Sequence, residues 1–188
     1  MSDAGGGPST VTADSGVETL QERVQQVAQE YSGGEDRPLG GYAALLGTYA
    51  TTVAAGALIG RFLGVRLPER LSWDDLALVT VAAHKLARTL TKDAITSPIR
   101  APFTEYAAPA GEGELHEEVR GGTGLRHAVG ELLTCPFCAS QWVSTGFLTG
   151  LVVAPRQARF AASLFAVVAG SDWLQLAYAA LQQAAKGD

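Results

Sequence analysis

Two cysteines stand two residues apart in TCPFCASQW, residues 134–142, and the chain of 188 residues has no others. The pair stands at the start of an uncharged stretch, where it allows three kinds of chemistry. At a helix N-terminus the first thiol is acidified and can act as a redox thiolate. As a single C-x-x-C knuckle, the pair supplies two of the four ligands of a zinc ion. His84, His116 or His127 could add to it, or a second copy could pool its own knuckle. The third reading is a helix-opening turn whose thiols are structural. Glu131 precedes Cys135 by four residues, so its carboxylate opposes thiolate formation and suits a metal site or an ion pair better. No βαβ pattern surrounds the pair, so a thioredoxin-like frame is not expected.

Asp172 is the one acid in FAASLFAVVAGSDWLQLAYAAL, residues 160–181. An ionised carboxylate in such a run is costly, so it must be protonated, paired or turned to a polar cavity. The pairing reading draws on His84, Lys85 or Arg88, and the chemical reading is a proton or cation relay. His84, Arg88 and Lys92 recur every four residues and share a helix face, with Lys85 beside it. No G-x-G-x-x-G, Walker loop, H-E-x-x-H or G-x-S-x-G accompanies these residues. The net charge of −5 and the lack of a basic stripe argue against a nucleic-acid partner.

The elements that must position these groups are apolar. Charged residues make up 18% of the chain, against about 25% in soluble domains. Residues 1–14 are small, polar and Gly-rich and are expected to be a disordered tail. Residues 15–32 open with the capping box Ser15-x-x-Glu18 and space Val17, Leu20, Val24, Val27 and Tyr31 as an amphipathic helix. The membrane domain is expected over 39–182. Residues 39–60 carry no charge and are long enough to span about 30 Å of hydrocarbon. Residues 132–154 and 160–181 read as two further spans, and 73–92 as a half-buried helix. Residues 93–130, rich in Pro and Gly, read as a long polar loop in which EGELHEE is a solvated acidic cluster. Gly56-x-x-x-Gly60 and Gly146-x-x-x-Gly150 offer small-residue faces for close helix approach, including between copies in a homo-oligomer.

The expected fold is therefore an all-α, small polytopic helix bundle in the cell membrane, with three spans or four and the lipid bilayer as its main partner. With three spans and residue 1 outside, ten Lys and Arg fall inside and four outside, which favours that orientation. A four-span arrangement divides them more evenly and orients the chain less.

Several runs resemble one known family. HKLARTLTKDAITSPIRAPFTEY, then EEVRGGTGLRHAVGELLTCPFCASQWVSTG and the late acid Asp172, resemble the bacterial membrane proteins called domain of unknown function 1360. The likeness covers roughly residues 73–182. It is carried by Arg88 with Asp93, by Ser97, Pro98, Arg100, Pro102 and Phe103, by Glu131, Cys135, Cys138 and Trp142, and by Asp172. It implies a membrane location, and for some members a link to sporulation, but no assigned chemistry. From the residues themselves, Arg88, Lys92, Asp93, Arg100, Glu131 and Asp172 are expected to converge on one polar pocket. Cys135, Cys138 and His127 are the metal or redox candidates, with zinc the possible ion. The leading expectation is a non-enzymatic binding or structural component of the envelope or spore. A membrane thiol oxidoreductase or metal-binding protein is the alternative.

Overall fold

A computed structural model of the chain describes residues 22–187 except 24, 25, 32, 34–36 and 123. The expected tail 1–14 lies outside them, as do Val17, Leu20 and Val24 of the expected amphipathic helix. Of that helix, residues 22, 23 and 26–31 are helical, with Val27 and Tyr31 exposed.

Four long helices dominate: α1 (Leu39–Phe62), α2 (Trp73–Thr91), α5 (Pro136–Val153) and α6 (Pro155–Lys186). Between α2 and α5 lie a 3-10 turn, α3 (Ser97–Arg100), strands β1 (Thr104–Gly111) and β2 (Glu114–Val119), and α4 (Leu125–Thr134). Of these, α1 and α6 are long and apolar enough to cross a membrane.

Helix α2 is the centre of the bundle. Ser72 caps it by accepting from Asp75 N at 3.1 Å, and Asp74 and Asp75 occupy its first turn. Val79, Ala82, Ala83 and Ala87 are buried on α2, and the first three form the core with Phe147 and Leu151 of α5 and Ala158 and Ala162 of α6. These small residues let the helix backbones approach closely. Ala154 alone separates α5 from α6, and Pro155 restarts the helix at a position where it needs no N–H partner. Helix α1 packs on α4 and α5. A Cβ on Gly41 would stand 2.5 Å from Gly124 O, so only glycine fits there. The Tyr49 ring meets Trp142 edge-on with centroids 5.1 Å apart. Its hydroxyl lies 2.7 Å from Thr145 Oγ1 and accepts from Gln141 Nε2 at 2.8 Å.

These contacts fix the helix directions. Tyr42 meets Glu131, and seven residues later Tyr49 meets Thr145, so α1 runs parallel to α5. Asp75 meets Arg159 and Lys85 meets Asp172, so α2 runs parallel to α6. The α5–α6 corner sets the two pairs antiparallel.

Three expectations need correction. The chain is mostly helical but not all-α, because residues 104–119 form an antiparallel hairpin within the expected polar loop. Gly111 and Gly113, at φ 150 and 75, make its turn. The expected span 132–154 is broken at Cys135, which is extended (φ −105, ψ 104) ahead of Pro136. A residue before proline is pushed out of the helical region. The three-span arrangement set residues 61–130 opposite Arg156 and Arg159, yet Asp75 and Arg159 form a two-point ion pair at 2.7 and 2.8 Å. The start of α2 and the start of α6 therefore lie at the same end.

The hairpin is held to α2 by Arg100, whose side chain is 0% exposed. Its Nε donates to Glu117 Oε2 at 2.6 Å and its Nη2 to Oε1 at 3.1 Å. Nη1 donates to Leu90 O at 3.0 Å and Thr96 Oγ1 at 2.6 Å, and Nη2 also reaches Asp93 O at 3.1 Å and Ser97 Oγ at 3.3 Å. Thr104 Oγ1 adds a bond to Glu117 Oε2 at 3.2 Å. The apparent solvated cluster EGELHEE thus supplies the counter-ion of a buried guanidinium. Helix α4 closes on this unit where a Cβ on Gly130 would fall 2.5 Å from Val119 Cγ1.

Burial raises the Glu117 carboxyl pKa, but the hydrogen bonds and charge of Arg100 outweigh it, and the pKa is lowered overall. A depressed folded pKa contributes stability above the unfolded value and loses it as pH falls through the folded one. Arg100→Ala is expected to cost about 3–5 kcal/mol by leaving Glu117 buried and unpaired. Hydrogen exchange should then show residues 104–119 losing protection, and in the wild type the same loss should follow acidification below the usual carboxylate range. Protection of the hairpin unchanged in the variant would rule out this anchoring role.

Candidate functional site

The expected single pocket is divided into separate places. Arg100 belongs to the buried anchor. Lys92 contributes its backbone carbonyl, which accepts from Leu115 N at 2.8 Å. Glu131 sits on the α1 side, where its Oε2 accepts a short bond from Tyr42 OH and its Oε1 lies 3.6 Å from His127 Nε2 and 4.0 Å from Arg37. His127 Nδ1 is buried without a hydrogen-bond partner among the described residues.

Arg88, Asp93 and Asp172 do converge, with Lys85 and Glu114. Lys85 Nζ lies 2.9 Å from Asp172 Oδ2 and 3.4 Å from Asp93 Oδ2. This realises the pairing reading of Asp172. Lys85 is 14% exposed and Asp172 41%, so the pair lies at the wall of an open cleft. Arg88 donates from Nε and Nη2 to the two Glu114 oxygens at 2.9 and 2.5 Å. The cleft, about 940 Å³, runs between α2, the hairpin turn and the later half of α6, with Trp173 on its wall. One turn of α2 thus sends Lys85 to α6 and Arg88 to the hairpin. An ammonium has three donors and can serve Asp172 and Asp93 together. The cleft offers charge on both sides, while no cysteine or serine lines it among the described residues.

The thiols stand elsewhere. Cys135 is the N-cap of α5, and its Sγ accepts from Cys138 N at 3.2 Å. Both cysteines are free. Among the described residues, no three His, Cys, Asp or Glu side chains gather as a metal site. His127 is therefore not brought into a ligand set with the thiols, and the geometry gives zinc no more than the two sulfurs.

Sequence reading passed over Glu114 and Glu117, because a run of acids reads as solvated. The usable signal was the number of cations in the preceding apolar segment, each of which needs a counter-charge once buried. The Lys85–Asp172 pair can be measured by a double-mutant cycle on thermal unfolding. Lys85→Met and Asp172→Asn should each destabilise, and together they should cost less than their sum by about 1 kcal/mol. Strict additivity would mean the pair contributes nothing to the bundle.

Residues 78–178 match the model of a family described as a protein of unknown function (DUF1360). The chain is also 32% identical over 111 residues to the sporulation protein YjcA of Bacillus subtilis (strain 168), covering 53% of this chain and 93% of that protein. No solved structure matches it. The matched segment runs from α2 well into α6 and contains Arg88, Arg100, the two cysteines and Asp172, whereas α1 lies before it. Since that segment holds the central helix, the anchored hairpin and the charged cleft, the chain belongs to the DUF1360 family.

Proposed function

We propose that this chain is a multi-pass integral membrane protein and a non-enzymatic binding or structural component of the cell envelope, with a role related to spore formation. One observation carries the membrane reading. Helices α1 and α6 turn large apolar side chains outward, among them Leu46, Leu58, Phe62, Leu164, Val167 and Leu174. An exterior this apolar is suited to lipid and unsuited to water. Helices α2 and α5, of 19 and 18 residues, are about 27–29 Å long, close to the thickness of the hydrocarbon core. We read all four long helices as spans.

In this reading the start of α1, the hairpin and the C-terminus share one face. That face carries Arg23, Arg37, Lys85, Arg88, Lys92, Arg100, Arg120, Arg126 and Lys186, and the opposite one Arg61, Arg66, Arg70, Arg156 and Arg159. The excess turns the hairpin face to the cytoplasm. Cys135 stays on the cytoplasmic side, and the N-terminal tail moves there from its expected place outside. The face formed by Gly56 and Gly60 has no close neighbour at Gly56 and only Val65 near Gly60, so it is open to a second copy of the chain. The spore-related role is supported by the likeness to the sporulation protein YjcA of Bacillus subtilis. A second reading, a thiol redox or metal-binding protein, is favoured only by the Cys135 sulfur held at the α5 N-terminus.

Fractionation should leave the chain in a carbonate-washed membrane pellet, and recovery in the supernatant would reject the membrane reading. In a Cys135→Ser/Cys138→Ser background, an impermeant maleimide added to intact cells should label Arg66→Cys and spare Glu105→Cys. The opposite pattern would reverse the orientation, and labelling of both or neither would reject the four-span arrangement. Deleting the gene in its own host should lower the yield of heat-resistant spores; an unchanged yield would remove the spore-related role.

A further inference from the structure

Cys135 and Cys138 are the two thiols of the chain, and the corner between α4 and α5 brings them to one point. Cys135 is extended ahead of Pro136, so its side chain lies over the first turn of α5. Its Sγ accepts from Cys138 N at 3.2 Å. The same turn brings the Cys138 thiol within hydrogen-bonding reach of the Cys135 sulfur. Neither thiol is closed off, since Cys138 is exposed and Cys135 half-buried. Phe137 stands between them, 87% exposed, at one end of a groove between α2 and α5 that His84 also lines.

The cap alone does not use both thiols. It needs one acceptor, which Ser, Thr, Asp or Asn commonly supplies, and Cys138 contributes to it only its backbone N–H. Two free thiols in contact across the first turn of a helix are the arrangement from which an internal disulfide closes. The N–H on the Cys135 sulfur favours its thiolate, which is the attacking form. In the membrane reading the pair stands at the cytoplasmic end of α5, where small thiols keep cysteines reduced at rest. The oxidant that an exposed pair meets there is the disulfide of those same small thiols.

We infer that Cys135 and Cys138 form a reversible redox site whose substrate is a low-molecular-weight disulfide. The Cys135 thiolate attacks one sulfur of the small disulfide. A mixed disulfide forms, and the other half leaves as a thiolate that takes up a proton. The Cys138 sulfur then gives up its proton and displaces the half still bound. The bond between Cys135 and Cys138 closes, and a second small thiol is released. The chain loses two electrons and two protons, and the small disulfide gains them. An excess of the small thiol runs the exchange backwards. This inference rests on the thiol redox reading above and names its substrate class. The site stands at the corner joining α5 to α4, which in turn meets α1 through Glu131 and the hairpin through Gly130.

The test uses the purified full chain in an uncharged detergent, with glutathione as the probe, and reads free thiols and intact mass after alkylation. In excess oxidised glutathione the chain should lose both alkylatable thiols without gaining glutathione. A large excess of reduced glutathione should restore both. Cys138→Ser should stop at one glutathione on Cys135. Cys135→Ser, which keeps a side-chain cap, should take up glutathione about ten-fold more slowly than Cys138→Ser, because its remaining sulfur lacks the N–H. Equal uptake by the two variants would overturn Cys135 as the attacking sulfur. Two thiols that stay alkylatable, a glutathione that stays on the wild type, or a disulfide formed only between chains would overturn the inference. Closure by diamide but not by oxidised glutathione would defeat this inference and leave the thiol redox reading standing. Closure by neither would defeat both.

Discussion

A guanidinium without access to water must have its donors satisfied inside the protein, and Arg100 meets this condition with six acceptor contacts on Glu117, two backbone carbonyls and two hydroxyls. Those acceptors come from the end of α2, the 3-10 turn, α3 and β2. The anchor therefore ties four pieces of chain to one point. Without it, a two-stranded hairpin rich in Glu would have little apolar surface to keep it docked, and isolated hairpins are only marginally stable in water. Buried ion pairs often add little net stability compared with apolar packing. Their value here is geometric, since the fork fits one carboxylate in one orientation and so fixes where Glu114 stands relative to Arg88.

That placement divides the cations of α2 by direction. Lys85 turns to α6, Arg88 to the hairpin, and His84 sits on the ridge between two grooves. On a helix that also buries an alanine face, a few charged residues thus organise two neighbours. The thiols, which look most reactive in the sequence, have a smaller part. Cys135 occupies the extended corner between α4 and α5 and caps the helix that follows.

The apolar helix α1 was legible because its signal is local: length and lack of charge identify 39–60 without reference to any partner. Helix α2 was legible as a helix with two unlike faces for a related reason, since its cations and its alanines lie on different faces. That Asp172 needs a partner could be read from cost alone, as an isolated acid in an apolar run requires one, while the choice of Lys85 among His84, Lys85 and Arg88 came from the fold. The hairpin could not be read this way. Its strand TEYAAPAG contains a proline and three alanines, and the acids of ELHEEV mask their own alternation. What anchors those residues as a sheet is the bond of Arg100 to Glu117, 17 positions apart, and such a contact leaves no local periodicity. The common pocket failed for the complementary reason. Composition marks which residues need partners, but only the path of the chain decides which partners they meet.

The clasp between Asp75 and Arg159 joins positions 84 residues apart, and the pair formed by Lys85 and Asp172 lies just as far apart along the chain. Synthesis delivers α2 well before α6. Throughout that interval Asp75 lacks its guanidinium and Lys85 has Asp93 as its nearest carboxylate. Contacts of such long sequence separation form late, because the intervening chain must first be made and closed. The single-residue corner at Ala154 shortens the final step by delivering α6 beside α5 already reversed. The arrival of α6 is what supplies both missing partners and seals the bundle.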